Sequence, residues 1–115
     1  MSKRVGRPAR KELRKSLLTF FPVDLRDWIK KQALESGVSM SDWMDAQLTH
    51  WLDTYDTQPM HIAKTKTVAA DGGWVAVQVV CLSLTSERLQ RYAQDYAVSV
   101  AGIIYTVAKT LHEEA

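Results

Sequence analysis

Two stretches of the chain run through the same succession of hydrophobic periods. Residues 16–21 form a short β-prone run. Pro22 then ends any continuation as a central strand and suits the first turn of a helix, where no amide donor is needed. From there Leu25, Trp28, Ile29, Ala33 and Leu34 follow helical spacing, until Ser36 and Gly37 supply a stop. Ser39 is placed to cap a second helix, with Asp42 three residues on as an acidic counterpart of a capping box. Trp43, Met44, Gln47, Leu48, Trp51 and Leu52 then recur at four-residue intervals, which predicts one buried helical face.

The order repeats further along. Residues 75–84 are rich in β-branched side chains, and Thr85 or Ser86 is placed to cap a helix carrying Leu89, Tyr92, Ala93 and Tyr96. Val98 and Ser99 open a last helix with Ile103, Ile104, Val107, Ala108 and Leu111. Shifting the first stretch by sixty places lays Ile29 on Leu89, Ala33 on Ala93, Val38-Ser39 on Val98-Ser99, Trp43-Met44 on Ile103-Ile104 and Trp51 on Leu111. An internal repeat accounts for this correspondence. Residues 53–73 contain Pro59, Gly72 and Gly73 without a sustained period and read as a connector.

One strand with two helices cannot bury its own apolar face. The pattern therefore predicts an α+β, mainly α fold in which the units 16–52 and 74–112 share a core. Their strands pair antiparallel into one ribbon, and the four helices close around it.

Charge changes this picture more than composition does. The formal net charge of +2 hides an asymmetry: residues 1–16 hold seven basic side chains against Glu12 alone, while the rest carries eight basic against twelve acidic residues. An arm of charge +6, residues 1–15 in the main, calls for a polyanion. The single Cys81 forms no internal disulfide, and His50, His61 and His112 lack metal-ligand spacing, so no metal site is expected. Cys81 reads as a small buried hydrophobe, and Trp28, Trp43 and Trp51 read as core and interface. No phosphate loop, paired-carboxylate site or nucleophile triad stands out, so neither catalysis nor a cofactor is expected. No apolar run suffices to span a bilayer and no secretory h-region follows the first residues, which points to a reducing bacterial cytoplasm.

The run Phe21-Pro22-Val23-Asp24-Leu25-Arg26-Asp27-Trp28-Ile29, followed by Ala33, Gly37, Ser39 and Ser41, resembles the ribbon-helix-helix family, the fold of the Arc and Met repressors. The likeness covers nearly all of the first unit. In the second, Leu82 stands where Pro22 does and Ala97 where Gly37 does. Two such units in one chain resemble the relaxosome accessory proteins of conjugative plasmids.

The resemblance implies that a ribbon enters the DNA major groove while the amino end of each second helix holds a phosphate. By position the phosphate contacts would be Ser39 and Ser99, with Ser41 beside the first. Counting back from Pro22, the outward ribbon side chains are Ser16, Leu18 and Phe20, with Ala76, Gln78 and Val80 as equivalents. Of these, Ser16 and Gln78 can hydrogen-bond to bases, whereas Leu18, Phe20 and Val80 suit thymine methyls or a protein surface. A shift of one residue would instead bring Thr19 outward. In the arm, Arg4-Val5-Gly6-Arg7-Pro8 resembles the Gly-Arg-Pro core of AT-hooks, whose extended Arg lies in a narrow minor groove. Lys3, Arg4, Arg7, Arg10, Lys11, Arg14 and Lys15 are thus expected to contact DNA.

The expected partner is double-stranded DNA, bound by a repressor or a plasmid-transfer accessory factor. A homodimer or higher assembly, and a protein partner such as a relaxase or a toxin, also fit. The competing expectation is an antitoxin-like or inhibitor subunit that uses the apolar ribbon face to bind a protein.

Overall fold

The computed structural model describes residues 13–55, 57, 60–65 and 73–115. Six elements follow one another: β1 (Arg14–Pro22), α1 (Val23–Ser36), α2 (Met40–Tyr55), β2 (Trp74–Leu82), α3 (Ser83–Tyr96) and α4 (Val100–Glu114). The result is a small α+β architecture with four helices and one two-stranded antiparallel sheet among the described residues.

In β1 and β2 side chains alternate between two environments, as the period of a pleated strand requires. Thr19, Phe21, Val77, Val79 and Cys81 are buried, while Ser16, Leu18, Ala76, Gln78 and Val80 are exposed. The register pairs Leu18 with Gln78, Ser16 with Val80 and Phe20 with Ala76. Thr19 is fully buried and its hydroxyl donates to the Ala101 carbonyl at 2.8 Å. The outward set is therefore the one counted back from Pro22, and the shifted register is excluded.

The helices all contribute to one core. Leu25 and Ile29 of α1, Met44, Leu48 and Leu52 of α2, Leu89 and Tyr92 of α3, and Ile103, Ile104 and Val107 of α4 meet Phe21, Val77 and Val79 from the strands. Helix α2 lies mainly against β2 and α4 mainly against β1, so each strand is covered by a helix from the other end of the chain. Neither half has a core without the other. The tryptophans pack around this centre as expected: Trp28 meets Trp43 edge-on at 5.9 Å, and Trp51 meets Tyr92 at 5.0 Å. Trp74 packs on Tyr105, with ring centroids 5.0 Å apart.

Several boundaries differ from the sequence expectation. Arg14 and Lys15, read as part of the arm, belong to β1 and pair with Leu82 and Cys81. Helix α3 begins at Ser83, so Thr85 and Ser86 are not its caps but buried first-turn residues. Leu34, counted on the apolar face of α1, is 80% exposed. Of the connector, residues 60–65 pack against the helices: the Met60 amide donates to the Tyr92 hydroxyl at 3.0 Å, and the Ala63 amide to Thr106 Oγ1 at 2.9 Å. This approach needs Gly102, where a Cβ would stand 2.8 Å from the Ala63 carbonyl oxygen.

Candidate nucleic-acid interface

The helices occupy one side of the ribbon, and among the described residues nothing packs on the other. Its outward side chains are Arg14, Ser16, Leu18 and Phe20 from β1, and Ala76, Gln78, Val80 and Leu82 from β2. Leu18 is 49% exposed and Val80 and Leu82 are each 38% exposed, while Phe20 is half-buried. The two hydrogen-bonding side chains that were expected to read bases are engaged with each other, Ser16 donating to Gln78 Oε1. No acidic side chain stands in this set.

Arg14 stands at one end of the face and reaches Asp42 at the start of α2 at 3.2 Å, while its neighbour Lys15 is exposed at the same end of the strand but alternates to the other side. Both partners are well exposed, which limits such a pair to about 0–1 kcal/mol. Lys3, Arg4, Arg7, Arg10 and Lys11 lie outside the described residues. In sequence they lead directly into this end of β1.

The amino ends of α2 and α4 carry their expected caps. Ser39 Oγ accepts from the Asp42 amide at 3.0 Å, and Ser99 Oγ accepts from the Gly102 amide at 2.9 Å. Both serines are exposed. The two ends differ in charge, since α2 has Asp42 in its first turn and α4 has no acid there. Ser41 Oγ accepts from the Val80 amide at 3.0 Å and ties α2 to β2.

Sequence reasoning missed Asp45. Its carboxylate is 8% exposed, and it accepts from the Leu82 amide at 2.7 Å and from the Thr85 hydroxyl at 2.8 Å. Thr49 adds a third donor at 3.2 Å. This cluster anchors the junction of β2 and α3 to α2 and so holds the outer half of the ribbon in place. Beside it, Cys81 is fully buried, and its thiol is pushed up to about 11, chiefly by burial and then by the Asp45 charge.

Elsewhere, His50, His61 and Glu114 share a cleft of about 300 Å³ with Trp51 and Tyr55. No group of three metal-ligating side chains occurs among the described residues. His112 stacks on Trp28 at 4.8 Å, a packing role. Among the described residues no helix is long and apolar enough to cross a membrane. Compared with protein-family models, curated proteins and solved structures, the chain finds no significant match in any of the three.

Proposed function

We propose that this chain is a duplex DNA-binding protein of ribbon-helix-helix type, in which two strand-helix-helix units share one ribbon. The observation that carries the reading is an exposed, acid-free ribbon face with Arg14 at the end that follows the basic arm in sequence. A two-stranded antiparallel ribbon has the width to enter the major groove. The arm supplies sequence-independent attraction to phosphates and delivers the ribbon to the duplex.

Duplication is supported by the element starts: Arg14 and Trp74, Val23 and Ser83, and Met40 and Val100 are each sixty positions apart. Leu18 and Gln78, also sixty apart, stand directly opposite each other, which supports a two-fold relation centred between them. On DNA, Ser39 and Ser99 face phosphates with the amides that follow them. The acid-free end at Ser99 is the stronger of the two, because Asp42 opposes an anion at the other. In the cell such a protein acts as a repressor or as an accessory factor that marks DNA for a larger machine.

A second reading rests on the exposure of Leu18 and Val80, which also suits a protein surface. Fluorescence anisotropy with random-sequence duplex separates the two, using the full chain and a version lacking residues 1–12. DNA binding is expected to weaken on the order of a thousand-fold between low and moderate salt and to drop when the arm is removed. Absence of binding at low salt would remove the DNA reading and leave the protein surface.

A further inference from the structure

The ribbon face is poor in hydrogen-bonding groups, and those it has are turned toward each other. Ser16 spends its hydroxyl on Gln78, leaving the Gln78 amide nitrogen as the one side-chain group near the centre with donors to offer. Around that centre the surface is apolar: Leu18 stands opposite Gln78, Val80 opposite Ser16, and Phe20 opposite Ala76. An edge-reading ribbon built on bidentate amide or guanidinium contacts would look different. Among the described residues Arg14 is the one cation on this face, and it lies at the end, paired with Asp42.

The major groove does contain one apolar feature, the C5-methyl of thymine, which cytosine lacks unless it is methylated. We infer that the outward face of Leu18, Phe20 and Val80 reads pyrimidine C5-methyl groups in the major groove. The preferred duplex then carries thymine or 5-methylcytosine at these contacts. The inference rests on the DNA reading above and narrows it to a chemistry.

Geometry and charge both favour this occupant. Successive outward residues on a strand lie about 6.8 Å apart, close to two base-pair steps of about 3.4 Å. Phe20 and Val80 are each one such step from the Leu18 and Gln78 pair, on opposite sides and opposite strands. Their contacts therefore fall about four base pairs apart, one on each side of the site's centre. The cations of the arm and of Arg14 and Lys15 complement a polyanion that surrounds the methyl groups. An apolar face on a protein partner would need an acidic rim to meet the same arm.

The test uses one duplex, selected from a random pool by binding to the full chain and then made in two forms, with thymine and with deoxyuridine at every thymine. Uracil keeps every hydrogen-bonding edge and leaves the minor-groove edge that the arm meets unchanged. Burial of one methyl is worth about fourfold in affinity. Loss of two or more contacts is therefore expected to weaken the uracil duplex by about tenfold or more.

The double variant Leu18→Ser/Val80→Thr is expected to cut the thymine-to-uracil ratio to about fourfold, the share of the Phe20 contact that remains, while its far-UV circular dichroism and melting stay native. Val80→Thr alone, nearly isosteric, is expected to halve the preference or more and serves if the double variant folds poorly. Equal affinity of the wild-type chain for the two duplexes, with salt-dependent binding intact, overturns the methyl inference and leaves DNA binding standing. A preference that persists undiminished in the folded variants overturns the assignment to these residues. No binding to either duplex overturns the DNA reading itself, and the methyl inference with it.

Discussion

The carboxylate of Asp45 accepts a hydrogen bond of 2.7 Å from the backbone amide of Leu82. Sixty positions earlier than Leu82 stands Pro22, which has no amide to donate, and sixty positions after Asp45 stands Tyr105. The two ends of the ribbon thus solve one problem in two ways. At β1 the unwanted donor is absent, and at β2 it is kept and matched by an acceptor on α2.

This relationship is open to a double-mutant cycle. Leu82 has φ −62° and ψ 147°, and Pro22 has φ −56° and ψ 146°, so proline fits at Leu82 without backbone strain. Asp45→Ala strands the Leu82 amide and the Thr85 hydroxyl and is expected to cost about 2–3 kcal/mol. Leu82→Pro removes the donor but stiffens the unfolded chain, for a net cost of about 1 kcal/mol. Urea denaturation of the pair together is expected to fall short of additivity by about 1 kcal/mol or more. Strict additivity would show that the bond contributes nothing.

Ala97 takes the left-handed conformation, φ 55°, at the place where Gly37 has φ 73°. Both turns close in the same way, Val98 N–H to the Ala93 carbonyl and Val38 N–H to the Ala33 carbonyl. A Cβ in this region is strained, whereas glycine adopts it freely. Ala97→Gly is expected to raise stability by about 0.5–1 kcal/mol and Gly37→Ala to lower it by about 1 kcal/mol. Thermal melts of the two variants check both signs, and a destabilised Ala97→Gly would contradict the account.

Cys81 links stability to alkaline pH. Its folded pKa of about 11 lies above the thiol's ordinary value of 9.0, so the folded chain holds the thiol proton more tightly than the unfolded chain does. The stabilisation is full below pH 9 and is lost as pH rises toward 11, by about 2–3 kcal/mol in all. Urea midpoints measured from pH 8 to 11 are expected to fall more steeply for the native chain than for Cys81→Ala. Parallel curves for the two proteins would remove the thiol from the cause. Alkylation of the native protein at pH 8 is also expected to be slow, because a buried neutral thiol is a poor nucleophile.

The faces of the ribbon and of α2 and α4 could be read from sequence because they are set by local periods. Ile103, Ile104 and Val107 along one stripe follow from helical spacing alone, and Leu18 outward with Thr19 and Phe21 inward follows from alternation once the count is anchored at Pro22. Ser39 and Ser99 were legible for the same reason, since a cap acts on amides two or three residues away. Asp45 was not, because an acid beside Met44 reads as solvent-facing until a strand amide 37 residues further on is known to lie against it. Arg14 and Lys15 were read as arm because charge hid their place in a strand, and only pairing with Leu82 and Cys81 reveals it. Ala97 was placed opposite Gly37 by the sixty-residue repeat, but its left-handed conformation was not legible, because an alanine gives no local sign of it. There the demand for a turn between two packed helices overrode local preference.

The central claim is that duplex DNA meets this chain on the ribbon face, and amide chemical-shift mapping during titration with duplex at low salt tests it most directly. Shifts are expected to concentrate at Arg14 to Phe20, at Ala76 to Leu82 and at the first amides of α4 after Ser99, with α1 and α3 little affected. Shifts confined to α1 and α3, with the ribbon amides unmoved, would contradict it.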